Sequence, residues 1–111
     1  MSNTYQIFLI SDSTGETLDR IFLSLKAQFQ NIEYKVNSYS FTRTENQVLK
    51  ILDIAKKEKN SIILYTIVDN NLAKFLANKS DEKKIPCFGV LGSLILSFSK
   101  LFNQKASHEP S

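Results

Sequence analysis

The chain has 111 residues, enough for one compact domain and too short for two, with 42% hydrophobic residues and a formal net charge of +3. That charge is mild, and acids dilute the lysine groups Lys56-Lys57-Glu58-Lys59 and Glu82-Lys83-Lys84, so both read as solvated helix faces and nucleic acid is not expected as a partner. No apolar stretch reaches the span of a membrane helix, Met1-Ser2-Asn3-Thr4 does not open a signal peptide, and the single cysteine, Cys87, allows no internal disulfide, which together point to a reduced, cytoplasmic setting away from membranes.

The apolar run from Tyr5 to Ile10 predicts a first, buried strand. Leu18, Ile21, Phe22, Leu25 and Phe29 then fall at helical spacing and predict a first helix over Glu16–Gln30. Between the two, the hydroxyls of Ser11, Ser13, Thr14 and Thr17 crowd a strand-to-helix turn bent at Gly15. Such a turn aims backbone N–H groups and the positive end of a helix dipole at one point, which suits an anion or a phosphate. Two readings of it stand side by side. Ser13 and Glu16 fit a capping box, with Ser13 as the N-cap. Alternatively Asp12, Ser13, Thr14 and Thr17 form a ligand-contacting loop.

A second strand is predicted over Glu33–Phe41, where Tyr34, Val36, Ser38 and Ser40 alternate with Lys35, Asn37, Tyr39 and Phe41. Its two-faced pattern suits a sheet edge. A second helix over Glu45–Lys59 carries Val48, Leu52 and Ala55 on one stripe with Ile51 beside it, and Thr44-x-x-Gln47 offers a capping box. Ser61–Thr66 predicts a third strand whose continuous Ile62-Ile63-Leu64 suits a central position covered on both faces. A third helix follows over Asn70–Ser80 with Leu72, Phe75 and Leu76, capped by Asp69. Pro86–Leu91 predicts a fourth strand and Ser93–Phe102 a fourth helix. A domain over residues 1–103 is thus followed by a polar tail, 104–111, with no periodicity and an expectation of flexibility.

Four alternating strand–helix pairs imply an α/β fold: an open parallel four-stranded sheet of order 2-1-3-4, helices on both faces, of the Rossmann or flavodoxin-like kind. In such sheets ligands bind at the carboxyl ends of the strands, where the strand order reverses. That point lies between the first and third strands. It sets Asp12–Gly15 beside Thr66–Asn70, with Thr42, Arg43 and Thr44 arriving from the second strand and Gly92 and Ser93 from the fourth.

The side chains on this rim limit the chemistry. The one histidine, His108, sits in the tail, so neither a metal site nor a Ser-His-Asp or Cys-His arrangement can be assembled, and no catalytic residue is assigned. Gly15, Gly89 and Gly92 supply neither G-x-G-x-x-G nor G-x-x-x-x-G-K-[ST]. The candidates for binding a phosphate or a partner are Asp12, Ser13, Thr14, Gly15, Thr17 and Arg43. Arg43 suits bidentate pairing with a phosphate or carboxylate, or is a surface arginine at a helix start. Asp12 suits a magnesium ion or proton transfer, or is a turn aspartate bonded to nearby N–H groups.

Ile10-Ser-Asp-Ser-Thr-Gly-Glu-Thr-Leu18, preceded by its short apolar strand, resembles the opening motif of the pyruvate, phosphate dikinase regulatory proteins and the related phosphoenolpyruvate synthase regulatory proteins. Ala27-Gln28-Phe29, Arg43-Thr44, Leu64-Tyr65-Thr66-Ile67-Val68, Ile85-Pro86-Cys87 and Glu109-Pro110-Ser111 resemble further segments of that family, in the same order. The resemblance implies a bifunctional serine/threonine kinase and phosphorylase, a transferase. It phosphorylates a threonine of the dikinase or synthase with ADP, and removes that phosphate with inorganic phosphate as acceptor and pyrophosphate as product. It also implies that the nucleotide-binding P-loop belongs to a second, C-terminal domain. These 111 residues contain no such loop. The expectation is therefore an N-terminal domain that binds no ADP or ATP cofactor and does not transfer phosphate by itself. Its expected partners are pyruvate, phosphate dikinase or phosphoenolpyruvate synthase and a separately encoded C-terminal kinase half. The alternative is a stand-alone α/β module that binds an anion or a protein.

Overall fold

A computed structural model describes residues 4–110 of the chain; Met1–Asn3 and Ser111, the last residue of the Glu109-Pro110-Ser111 segment, lie outside the described residues. Strands and helices alternate from the start: β1 (Thr4–Ser11), α1 (Glu16–Lys26), β2 (Glu33–Tyr39), α2 (Glu45–Lys57), β3 (Ser61–Thr66), α3 (Asn70–Glu82), β4 (Cys87–Gly89) and α4 (Gly92–Phe102). The four strands form one parallel sheet in the order β2-β1-β3-β4, as the alternation predicts. Thr4–Ile10 pair with Glu33–Tyr39 on one side, and Gln6–Ser11 pair with Ser61–Thr66 on the other.

The period of two along β1 divides the core. Phe8 and Ile10 join Ile63 under α2 and α3, where Val48, Ile51, Leu52, Ala55, Leu72 and Leu76 are all buried. Ile7 and Leu9 join Leu64 on the opposite face, where α1 contributes Leu18 and Phe22. Burying each of these large side chains is worth about 1.5–3 kcal/mol, so the first face is the main source of stability. β2 takes the predicted edge position. Tyr34 reaches across to Tyr5 and Phe22, while Tyr39 stacks on Phe8 at a centroid distance of 6.2 Å.

Most element ends shift from the sequence reading for identifiable reasons. α1 stops at Lys26, not Gln30, because Gln28 and Phe29 N–H turn to carbonyls three residues back and Asn31 adopts a left-handed φ of 64°. Phe29 is 56% exposed, so nothing in the core extends the helix that far. β2 ends at Tyr39 because the chain turns at Phe41, φ 53°. α2 ends at Lys57 with Glu58 already extended, whereas α3 runs on to Glu82. β4 is only three residues long. Thr44 and Gln47 form the predicted capping box, and Asp69 Oδ1 accepts the Leu72 N–H at 2.9 Å as the predicted cap of α3. α4 differs most in its packing: none of its residues is buried, and it makes no extensive contact with any other element.

Candidate functional site at the carboxyl end of the sheet

The last residue of β1, Ser11, pairs with Thr66, the last of β3, so the loops leaving both strands lie side by side. Four consecutive carbonyls of the first loop are then held by four consecutive residues after β2. Thr42 N donates to Ser11 O at 2.9 Å, Arg43 Nε to Asp12 O at 2.8 Å, Phe41 N to Ser13 O at 2.9 Å and Ser40 Oγ to Thr14 O at 2.8 Å. With these carbonyls engaged on the β2 side, the loop is fixed from Ser11 to the start of α1.

Asp12 ties the loop to the other neighbour. Its side chain is 5% exposed, and Oδ2 accepts the Val68 N–H at 2.8 Å, while Asp12 N donates to Thr66 O. A charge-assisted bond of this kind contributes about 1.5–3 kcal/mol. Of the readings open for Asp12, this geometry is that of a turn aspartate bonded to backbone N–H, spanning two loops. Ser11 Oγ, also buried, accepts the Ser13 N–H at 3.1 Å.

The capping box read at Ser13 is not formed. Gly15 is the N-cap of α1, at φ 88°, and no side chain caps the helix. Ser13 is already engaged by its N–H with Ser11 and by its carbonyl with Phe41, which holds it outside the helix. The first helical bond is Asp19 N to Gly15 O at 2.9 Å. The N–H groups of the first turn therefore have no intrahelical acceptor, and among the described residues a side chain reaches them at Thr14 Oγ1, 3.5 Å from Glu16 N.

A cavity of about 360 Å³ opens over this turn. Of the candidates read from the sequence, Asp12, Ser13, Thr14, Gly15 and Thr17 line it, together with Glu16, Thr66, Val68 and Leu91. Arg43 does not. Its Nε is held by Asp12 O and its guanidinium lies over the Phe41 ring, 5.6 Å from the centroid, on a neighbouring cavity of about 210 Å³ that also meets Asp12 and Asp69. Thr42 is 1% exposed and Thr44 caps α2, so both serve the fold at this rim. Gly92 lines a separate cleft between α3 and α4.

The segment after α4 folds back over the rim. His108 Nδ1 lies 2.8 Å from Val68 O, Glu109 lines the larger cavity and Pro110 the smaller one. Periodicity carries no signal for that placement, because these residues belong to no helix or strand. Ser40 was also missed as part of the site; its role depends on a carbonyl 26 residues earlier.

Comparison with known proteins matches nearly the whole chain. The family model described as Kinase/pyrophosphorylase matches residues 7–111. A protein of Pelagibacter ubique (strain HTCC1062) named "Putative pyruvate, phosphate dikinase regulatory protein" is 78% identical over 111 residues, covering 100% of this chain and 40% of that protein. Proteins of the same name are 32% identical over 105 residues in Geotalea uraniireducens (strain Rf4), with 95% of this chain and 39% of theirs covered, and 38% identical over 91 residues in Agrobacterium fabrum (strain C58 / ATCC 33970), with 82% and 33% covered. The chain spans about two fifths of the length of the curated relatives it matches.

Proposed function

The chain belongs to the kinase/pyrophosphorylase family, and on that basis we propose that it carries the N-terminal part of a bifunctional serine/threonine kinase and phosphorylase that regulates pyruvate, phosphate dikinase. The observation that carries this reading is the 78% identity along the whole chain to a protein bearing that regulatory name. The full-length activity uses ADP as phosphate donor in one direction and inorganic phosphate as acceptor in the other, in the cytoplasm.

Within that activity, the loop Asp12–Thr17 receives a phosphate group or the surface of the target protein. Support comes from the uncapped first turn of α1 over a 360 Å³ cavity, with the Ser13, Thr14 and Thr17 hydroxyls beside it. A helix N-terminus favours an anion by about 0.3–1 kcal/mol when exposed and up to about 2 when partly buried. Asp12, Glu16 and Glu109 oppose it, so these residues by themselves hold phosphate weakly. Nothing in the 111 residues supplies the glycine-rich loop and lysine that cradle a nucleotide's phosphates. This chain alone therefore does not phosphorylate the dikinase.

The test is a phosphorylation assay with purified dikinase and ADP, comparing this chain with the intact Pelagibacter relative and reading the mass of the target threonine peptide. The expected result is phosphate transfer by the intact relative and none by this chain. Transfer by this chain alone overturns the division of labour. No transfer by the intact relative overturns the family activity as applied here and leaves a binding module.

A further inference from the structure

The fourth helix has the composition of an interior element. Its eleven residues, GSLILSFSKLF, include one charge, Lys100, and no acid. Yet Leu94, Leu96, Phe98, Leu101 and Phe102 are 51–78% exposed. Leu94, Phe98, Leu101 and Phe102 follow the i, i+4, i+7, i+8 spacing of a continuous stripe, and Phe98 and Phe102 meet edge to face at 5.6 Å. The remaining apolar positions, Ile95 and Leu96, face a cleft of about 480 Å³ against Tyr65, Ala73 and Ala77. Ser93, Ser97 and Lys100 share another side, so α4 is an amphipathic helix whose apolar face is left exposed, and an exposed patch of this kind marks an interaction surface.

We propose that α4 is the docking surface for the polypeptide that the curated relatives carry beyond the region matched by this chain, packed as part of the same folded molecule. Three observations choose this occupant. The chain accounts for 40% of its 78%-identical relative, so three fifths of that protein has no counterpart here. α4 is the last element of the matched region, and the segment after it returns to the rim of the sheet through His108 and Glu109. Further polypeptide is thereby delivered beside both the α3–α4 cleft and the cavity over α1. Lastly, the near absence of charge suits a permanent, core-like contact, whereas transient contacts are rimmed by polar groups. One body seated on α4 would thus also stand over Asp12–Thr17.

Amide hydrogen exchange on this chain and on the intact Pelagibacter relative, each at two protein concentrations, tests this. The expected result is exchange in the α4 segment at least tenfold slower in the intact relative, with no dependence on concentration. Equal exchange in the two proteins overturns the proposal. Protection that grows with concentration in either protein also overturns it, because a second copy is then the occupant. The double substitution Leu101→Asp, Phe102→Asp supplies an independent measurement. It should leave the thermal midpoint of this chain unchanged and lower that of the relative, or prevent its folding, when made at the corresponding positions. A relative unaffected by the pair, or a drop of equal size in both proteins, refutes the assignment.

Discussion

Replacing Asp12 should move stability and phosphate affinity in opposite directions. Its carboxylate is 5% exposed and accepts the Val68 N–H at 2.8 Å. Asp12→Ala removes a bond worth about 1.5–3 kcal/mol and leaves a half-buried N–H unpaired. With an unfolding entropy of roughly 2.1 cal/mol/K per residue, a loss of about 2 kcal/mol lowers the thermal midpoint by about 8–9 °C. Asp12→Asn keeps an oxygen in place and exchanges a charge-assisted bond for a neutral one, a loss of about 1 kcal/mol, or about 4 °C. The same exchange removes a negative charge from the wall of the cavity above α1. A unit charge at about 4 Å is worth about 1 kcal/mol even at the dielectric constant of water. Inorganic phosphate should therefore bind Asp12→Asn about fivefold tighter or better, as read by amide chemical shifts of Ser13–Thr17 in a titration. Thermal midpoints unchanged in both variants would refute the role of the Val68 bond. Weaker phosphate binding by the asparagine variant would refute the electrostatic argument, because the carboxylate would then be assisting the anion.

Gly15→Ala should destabilise the fold by about 1–2 kcal/mol, measured by urea unfolding, because φ is 88°. The added Cβ would find Ser40 Oγ at 3.5 Å and Ser11 Cβ at 3.8 Å, ordinary contacts, so the loss is one of backbone conformation and Gly15→Asn should recover part of it. Leu52→Ala, at 0% exposure between α2 and the sheet, should lose about 2–5 kcal/mol, whereas Leu23→Ala at 62% exposure should stay within about 0.5; similar losses at the two sites would contradict the core assignment. Burial holds the Cys87 thiol above its ordinary 9.0, and burial together with the Cys87 charge holds the Tyr65 hydroxyl above 10.0. The fold thus favours the neutral form of both groups. Their contribution is complete below pH 9.0 and is lost as pH rises through the raised values. Urea midpoints should fall in that alkaline range, and less so in Cys87→Ala.

The alternation of apolar runs carried the architecture. Ile62-Ile63-Leu64 and Tyr5–Ile10 read as central strands because both faces of each are covered, and the strand order followed from parallel pairing with β2 at the edge. The caps at Thr44 and Asp69 were legible because each rests on a partner three residues away. Ser13 misled for the same reason. Its local pattern fits a cap, but its N–H and carbonyl are taken by Ser11 and Phe41, the latter 28 positions on. Arg43 could be placed at the rim from topology, while the turn of its side chain toward Asp12 O depends on the path of the β2 loop. Helix ends were poorly legible wherever no buried side chain or cap marks them, as at Gln28–Gln30. The fourth helix was legible over Ser93–Phe102, but its existence alone does not say which of its faces is covered within the same 111 residues.

The apolar continuity of β1 leaves it with an ambiguity that the loop after it removes. Ile7 and Leu9 are as buried as Phe8 and Ile10. A strand with one oily and one wet face is locked in place because sliding by one residue turns it inside out. β1 has no wet face, so its own side chains discriminate weakly between neighbouring alignments. The discrimination comes from the end of the strand, where Ser11, Asp12, Ser13 and Thr14 each answer to one specific donor from the Ser40–Arg43 turn and Asp12 answers also to Val68. Four of these five acceptors are backbone carbonyls, which every residue offers, so it is the Asp12 carboxylate at the Val68 N–H that a slip of one position would misplace. The stretch with the most evident ligand chemistry is thus also the key that indexes the sheet, and altering it for binding puts strand alignment at risk.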